Sequence, residues 1–355
     1  MKIKNYVISI FILLIIPKVS AQNGLYGGIE IGSKGVKMTV LEVDNIKRGD
    51  YTKIDSWSEN IGIAKGISID GKLASDDIDT AAKVVMNNLN RLRKEFKIED
   101  ENIFVVGSSG VAMADNTGDL VLAIKNATDK DLVFIDAQTE GKMLLKGCIP
   151  PKQYSTSMVL DIGGGNTKGG YVDVENNGEF VFFPLSLNYG TITLTEAVMK
   201  KARKKSIEEF TELSFGFLPT LRSQVNAMYE TKPAALEKEN LYMSGGAIWA
   251  FYTLFNGESK EVFSGFKLED ILYYDAILKN NFSKFEEEAK TDNEKARVLK
   301  TYSQKYLISA SNLLLVCLES IPKINDKKLF FAKEGQIAWL VSYVVDRAKN
   351  VKKIK

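Results

Sequence analysis

The 355-residue chain contains no histidine. That removes the commonest general base near neutral pH, the serine-histidine triads and every histidine-ligated zinc site. Acid–base chemistry must then fall to Asp, Glu, Lys or Tyr. The two cysteines, Cys148 and Cys317, stand far apart and outside any Cys-x-x-Cys spacing, which argues against a metal cluster or a redox pair. They read as buried packing residues, with a single disulfide as the alternative. Charge excess is also missing, since 47 Lys and Arg against 45 Asp and Glu leave a net +2. Such a balance gives no general drive toward nucleic acid or a membrane surface, so no nucleic-acid partner is expected and any basic site must be local. Beyond the first residues no apolar run approaches the roughly 18 needed to span a bilayer. What is present is apolar material, 45% of the chain, enough for two ordinary globular domains.

The start of the chain carries Lys2 and Lys4, an apolar run from Tyr6 to Ile16, and then Val19-Ser20-Ala21. Charged start, short apolar run and small residues at the cleavage positions are the three parts of a secretory signal. Residues 1–21 are therefore expected to be removed before Gln22, giving a periplasmic or secreted protein with no stable membrane anchor. An uncleaved anchor, or a chance apolar leader on a cytoplasmic protein, is the alternative.

From there the pattern alternates strands and helices. Leu25 to Ile31 and Val36 to Val43 read as strand, tight turn, strand, with a third strand near Tyr51 to Trp57. Ser75-Asp76-Asp77 offers capping side chains to a helix from Ile78 to Phe96, whose Ile78, Ala81, Ala82, Val85, Leu89 and Leu92 share one face. Buried strands are expected at Ile103 to Val106 and Leu132 to Ile135, and helices at Asp119 to Ala127 and Ala137 to Gly147. Pro150-Pro151 breaks the periodicity and sets a boundary between a first lobe, 24–150, and a second, 151–355. The second opens with strands Met158 to Ile162 and Gly169 to Val174, and Asn177-Gly178 signals a hairpin into Phe180 to Phe183. Lys200 to Glu209 reads as a solvated helix face. Further on come a strand at Leu241 to Met243, a helix at Ala247 to Phe255, helices over Leu268 to Lys290 and Glu294 to Ile321, a last strand at Lys328 to Phe331 and a closing helix from Gln336 to Ala348.

The most informative feature is internal repetition. Ile29-Glu30-Ile31-Gly32-Ser33-Lys34-Gly35-Val36-Lys37 aligns with Leu160-Asp161-Ile162-Gly163-Gly164-Gly165-Asn166-Thr167-Lys168. Each has a buried strand, a carboxylate, Ile-Gly, small residues and a returning strand, so two α/β lobes built alike should face one another. Glycines let backbone N–H groups form a concave anion site unobstructed by side chains, and allow positive φ. Glu30 and Asp161 repel phosphate by themselves, and make sense if they hold a divalent cation or orient a water on it. Either turn alone could be a plain hairpin; two in matching contexts point to phosphate. A third glycine turn, Ser244-Gly245-Gly246, lies between a strand and a helix, where amides favour an anion. A plain tight connection is its alternative. No Gly-Lys-Ser or Gly-Lys-Thr follows a suitable spacer, which excludes a single Walker-type loop.

These residues resemble the exopolyphosphatase and guanosine pentaphosphate phosphatase family of the actin, sugar kinase and heat-shock ATPase superfamily. Glu30-Ile31-Gly32-Ser33 resembles that family's Asp-Ile-Gly-Ser, and Asp161 to Thr167 its Asp-Ile-Gly-Gly-Gly-Ser-Thr. Gly107 to Ala112 resembles its Thr-Ser-Ala-Leu-Arg segment without the arginine. Thr139-Glu140-Gly141-Lys142 matches its Glu-Glu-Ala-Arg helix, Leu185 to Gly190 with Leu194-Thr195-Glu196 its Leu-Pro-Leu-Gly and Leu-Thr-Glu, and Ser244-Gly245-Gly246 its Gly-Gly-Thr turn. The resemblance implies two actin-like, ribonuclease H-like lobes around a central cleft and a hydrolase of phosphoanhydride bonds, acting on polyphosphate or a nucleotide polyphosphate. It implies Glu140 as the base for water and Asp161 as its catalytic companion, with Glu30 and Asp161 on Mg2+ or another divalent cation. Gly32, Ser33, Lys34, Gly163, Gly164, Gly165, Asn166, Thr167, Lys168, Ser244, Gly245 and Gly246 would bind phosphate.

Departures crowd the same cleft. Glu30 is one methylene longer than the family's Asp, Lys34 and Gly35 replace Asn and Ser, and Lys168 stands where the family has a metal-linked glutamate. A cation there could replace a metal as phosphate clamp, or mark a binder that has lost its chemistry. A catalytically inactive phosphate or nucleotide binding protein is thus the second class of function, and a kinase or ATPase of the same superfamily the third, disfavoured by export. The oligomeric state is open, with a homodimer allowed.

Overall fold

The computed structural model describes residues 24–45, 50–174, 180–204 and 206–351. The expected leader lies outside the described residues, as do Asn177-Gly178. Strands β1 (Gly24–Ile31), β2 (Gly35–Asn45), β3 (Asp50–Asn60), β4 (Ile103–Gly107) and β5 (Leu132–Phe134) form a first sheet in the order β3-β2-β1-β4-β5. A second sheet contains β6 (Ser157–Ile162), β7 (Thr167–Val174), β8 (Phe180–Leu187), β9 (Asn240–Ser244), β10 (Phe263–Phe266) and β11 (Lys328–Ala332), in the order β10-β11-β9-β6-β7-β8. Read from the β8 end, the second sheet repeats the first: three antiparallel strands, then two parallel partners, β9 and β11, with β10 added at the edge. The sequence repeat is therefore a repeat of topology. Register makes it sharper, because Glu30 faces Lys37 across the first hairpin as Asp161 faces Lys168 across the second.

Helices α1 (Ile67–Asp70), α2 (Ser75–Lys94) and α3 (Thr117–Thr128) belong with the first sheet, and α4 (Ala137–Cys148) follows β5. The second sheet carries α5 (Thr191–Met199), α6 (Ile207–Glu230), α7 (Gly246–Asn256), α8 (Leu268–Asn280), α9 (Ser283–Glu288), α10 (Asn293–Thr301) and α11 (Gln304–Glu319), and the chain closes with α12 (Gly335–Val351). All six apolar positions expected on one face of α2 are buried, against Ile29, Ile31, Val36 and Met38 of the first sheet. The second sheet has its own outer core, where Leu313, Leu314 and Leu318 of α11 pack with Met158 and Leu160.

A third core lies between the sheets and joins them. It gathers Tyr26, Leu41 and Val106 from the first sheet, Val159 and Tyr242 from the second, Leu144 and Cys148 from α4, and Trp339, Leu340 and Val344 from α12. Here the two crossing helices exchange sides. Helix α4, which precedes Pro150-Pro151, packs on β6, β7 and β8, while α12, from the far end of the chain, packs on β1 and β2. Glycines permit the close approach: a Cβ on Gly147 would lie 2.6 Å from that of Ala338, and one on Gly28 would lie 2.5 Å from Val344. Both cysteines are buried and free, so the packing alternative holds over the disulfide.

Several local expectations need correction. Helix α2 begins at Ser75 with Ala74 at its cap and no side-chain cap bond, so Asp76 and Asp77 act in the first turn, where negative charge favours the helix dipole. Most of Lys200 to Glu209 is not a helix face: residues 200–204 and Ser206 lie between α5 and α6, Ser206 caps α6, and Glu209 in the first turn of α6 accepts from the amides of Arg203 and Lys204. The two long C-terminal helices are each broken. Asn281 ends α8 with non-helical dihedrals, and Tyr302 is extended at the end of α10, turning the chain before α11. Strand β10, four residues long, gave too little alternation to be seen, and β5 is an edge strand with Val133 43% exposed rather than a buried one.

Because Trp339 is 1% exposed in the core shared by both sheets, Trp339→Ala is expected to cost about 3–5 kcal/mol of stability. Urea unfolding followed by circular dichroism measures this, and a loss below about 1 kcal/mol would show that α12 does not tie the sheets together.

Candidate active site

The hairpin tips of the two lobes meet at the floor of a cleft of about 810 Å3. In the first tip the amide of Gly32 donates to the Gly35 carbonyl (2.9 Å) and that of Gly35 donates back to Gly32 (3.2 Å); in the second the amide of Gly163 donates to the Asn166 carbonyl (3.1 Å). Neither tip needs left-handed backbone, because none of Gly32, Gly163, Gly164 and Gly165 has positive φ. Close approach is what requires glycine. A Cβ on Gly165 would lie 2.5 Å from the Ser33 hydroxyl and 2.8 Å from the Gly110 carbonyl. In the third turn Gly245 does hold positive φ (94°), at the start of α7.

Glu30, Gly32, Ser33, Lys34, Glu140, Asp161, Gly163, Gly164, Gly165, Asn166, Lys168, Gly245 and Gly246 all line this cleft. Two of the expected residues are not brought to it. Thr167 is buried with its hydroxyl donating to the Tyr189 carbonyl (2.8 Å), and Ser244 is packed behind the wall against Gly335. Sequence reasoning missed Ser109, Lys37, Arg297 and Tyr302. The register of the repeat would have found Lys37, which faces Glu30. Nothing local marks Tyr302, which reaches Gly246 from another part of the chain.

On the floor, side chains from both lobes form a closed ring. Helix α4 is capped by the Asp136 side chain, which accepts from the Thr139 amide (2.6 Å), and this sets Glu140 in its first turn, wholly buried. One Glu140 oxygen accepts from the Ser109 amide (2.9 Å) and hydroxyl (2.6 Å), and Ser109 in turn accepts from the Asn166 side-chain amide (2.9 Å). The other faces the ammonium of Lys168 at 2.9 Å, which also donates to Asn166 Oδ1 (3.4 Å) and lies 3.7 Å from Asp161. Burial pulls the Lys168 pKa down, but Asp161 and Glu140 more than offset this and hold it above the ordinary lysine value. Lys168 is thus charged and 5% exposed.

Glu30 pairs with Lys37 (3.3 Å), whose ammonium also donates to the Gln336 carbonyl (2.9 Å). Burial pushes the Glu30 pKa from its ordinary 4.5 to about 7, Lys37 offsetting only part of that. Lys34 leaves the first tip toward the second lobe, its ammonium 5.1 Å and 5.0 Å from the rings of Tyr302 and Tyr306, with its pKa lowered by burial.

Glu30 and Asp161 both line the cleft, with Glu140 a third carboxylate there. The ammonium of Lys168, however, stands among them, and no group of three or more His, Cys, Asp or Glu side chains gathers for a metal among the described residues. Mg2+ asks for a near-octahedral set of oxygens at about 2.0–2.1 Å. The donor set as arranged does not fit it.

Two lobes of repeated topology, crossing helices between them and glycine-tipped hairpins in a shared cleft define the actin-like ATPase superfamily fold. The family model for the Ppx/GppA phosphatase family matches residues 42–241, more than half of the chain, and the protein belongs to that family. Among solved structures, it is similar to the Aquifex aeolicus Ppx/GppA family member (20% identity, 94% of this chain and 99% of that one, TM-score 0.62). It is also similar to an exopolyphosphatase from Cytophaga hutchinsonii (16%, 90% and 98%, 0.64) and to an exopolyphosphatase-like protein (13%, 93% and 100%, 0.69). These likenesses show a common fold. No curated protein matches the chain.

The raised pKa of Glu30 has a consequence for stability. Folding raises its affinity for a proton, so its contribution is full below pH 4.5 and is lost as pH rises through about 7. Relative to Glu30→Gln, the wild type should lose roughly 3 kcal/mol between those limits. Urea unfolding of both proteins across the window measures the difference, and parallel pH profiles would contradict the assignment.

Proposed function

We propose that this chain hydrolyses the terminal phosphoanhydride bond of a linear polyphosphate or a nucleotide polyphosphate, with Glu140 positioning and deprotonating the attacking water. The observation that carries this reading is the placement of Glu140, fully buried at the start of α4 yet lining the cleft beside both glycine tips. A terminal phosphoryl group seated against the tips would put its phosphorus within reach of a water bound to Glu140. The water oxygen bonds to phosphorus, the bridging phosphorus–oxygen bond breaks, Glu140 takes the proton, and the shortened chain leaves with the bridging electron pair. Little covalent help is needed for such a transfer, so positioning and charge stabilisation supply most of the rate.

One observation favours the rival reading of a protein that binds phosphate without turnover. Glu140 already accepts two hydrogen bonds from Ser109 and pairs with Lys168 at 2.9 Å. To act as a base it must give up one of these partners, and an incoming phosphate oxygen is the group that can draw the Lys168 ammonium away. Phosphate release from polyphosphate, ATP and para-nitrophenyl phosphate by purified protein separates hydrolase, ATPase and binder. Glu140→Gln is expected to lower hydrolysis by about 10²-fold or more with tripolyphosphate affinity little changed. Equal rates in the two proteins would remove Glu140 from the chemistry.

The leader suggests where this happens. We propose export with cleavage after Ala21, and N-terminal sequencing that finds Gln22 first would bear this out, whereas intact Met1 on cytoplasmic protein would overturn it.

A further inference from the structure

We infer that the ammonium of Lys168 is a built-in cation occupying the place of a divalent metal, so that this cleft takes phosphate chains without one. This rests on the reading of the cleft as a phosphate-chain site, and is argued from where the ammonium lies.

Three carboxylates, Glu30, Glu140 and Asp161, line the floor that a polyanion must approach, so a cation between them and the ligand is needed. Lys168 supplies it from inside the fold. Its ammonium faces Glu140 at 2.9 Å, Asn166 at 3.4 Å and Asp161 at 3.7 Å, so three oxygens from three residues surround a group with three N–H donors. These are ammonium distances rather than those of a metal shell. The position is also right for an anion, because a Cβ on Gly163 would come within 3.3 Å of the nitrogen. The charge therefore lies directly against the second glycine tip, and the missing side chain at Gly163 leaves it room.

The repeat supports the same assignment. Lys37 stands opposite Glu30 where Lys168 stands opposite Asp161, so each lobe offers one carboxylate and one lysine at matching places. Only Lys168 is drawn into a ring with side chains of the other lobe. A lysine also differs from a metal in consequence, being a permanent point charge that chelators cannot remove.

The test uses Mn2+ alone and tripolyphosphate in EDTA as separate probes of the wild type, Lys168→Glu and Lys168→Met. Electron paramagnetic resonance should find no Mn2+ on the wild type and one on Lys168→Glu, whose thermal midpoint should rise with Mn2+ while that of the wild type stays put. Calorimetry in EDTA should find tripolyphosphate bound by the wild type and weakened by about tenfold or more in Lys168→Met. The methionine variant gains no metal ligand, so it keeps the test decisive if the glutamate variant fails to fold. One Mn2+ on the wild type, or tripolyphosphate binding that vanishes in EDTA and returns with Mg2+, would overturn the inference. If tripolyphosphate binds under neither condition, the ligand reading of the cleft falls, and the inference falls with it as a statement about phosphate. If binding in EDTA stands while no phosphate is released, the hydrolase reading alone is lost.

Discussion

The charge of Lys168 is what lets carboxylates from two lobes share one buried floor. Glu140 rides on α4, Asp161 lies near the end of β6, and both are buried where their charges face the same ammonium. An ion pair so deeply placed is no guarantee of stability, since desolvation of both charges opposes their attraction. What it does supply is registration. Lys168 faces Glu140 and Asn166, Asn166 reaches Ser109, and Ser109 returns to Glu140, so the hairpin tip of the second lobe is fixed against the turn that follows β4 of the first. With the tips fixed, the glycine contacts between Gly165, Ser33 and Gly110 follow as a packing necessity.

The crossing helices make that floor rigid from behind. Had α4 packed only on the sheet it follows and α12 only on the sheet it follows, the lobes would share little beyond a linker. Their exchange instead places Trp339, Leu340 and Val344 against Tyr26 and Leu41, and Leu144 against Val159, in one apolar layer. A boundary drawn at Pro150-Pro151 describes the order of the chain and not this packing. The base candidate sits on one of the exchanged helices, so Glu140 is positioned by the second sheet although its residue number belongs with the first.

Much of this was legible from the residues because it is local or repeated. Strand-turn-strand alternation around Gly32 and Gly163, and the apolar face of α2, depend on neighbours a few positions away, and the likeness of the two glycine turns needs only one comparison. The breaks at Asn281 and Tyr302 were not legible, since the periodicity runs through them and tertiary packing decides where the chain turns. Tyr302 leaves the helix to bring its buried ring to Gly246, a contact with no trace in its own segment. The glycine tips were read as sites of positive φ. The demand on them is for space, imposed by the facing lobe and invisible from one hairpin.

Repetition also explains how identical local chemistry came to serve different ends. Lys37 and Lys168 occupy the same place in their hairpins, yet Lys37 remains partly exposed and shares its ammonium between Glu30 and the Gln336 carbonyl just inside α12. Lys168 meets the first turn of α4 instead, where a carboxylate is already held in place by Ser109. What the crossing helix offers the first lysine is therefore a backbone carbonyl, and what it offers the second is a carboxylate lining the cleft. The difference lies in which crossing helix covers each hairpin, so the exchange of α4 and α12 that ties the lobes together also makes their symmetric cleft chemically one-sided.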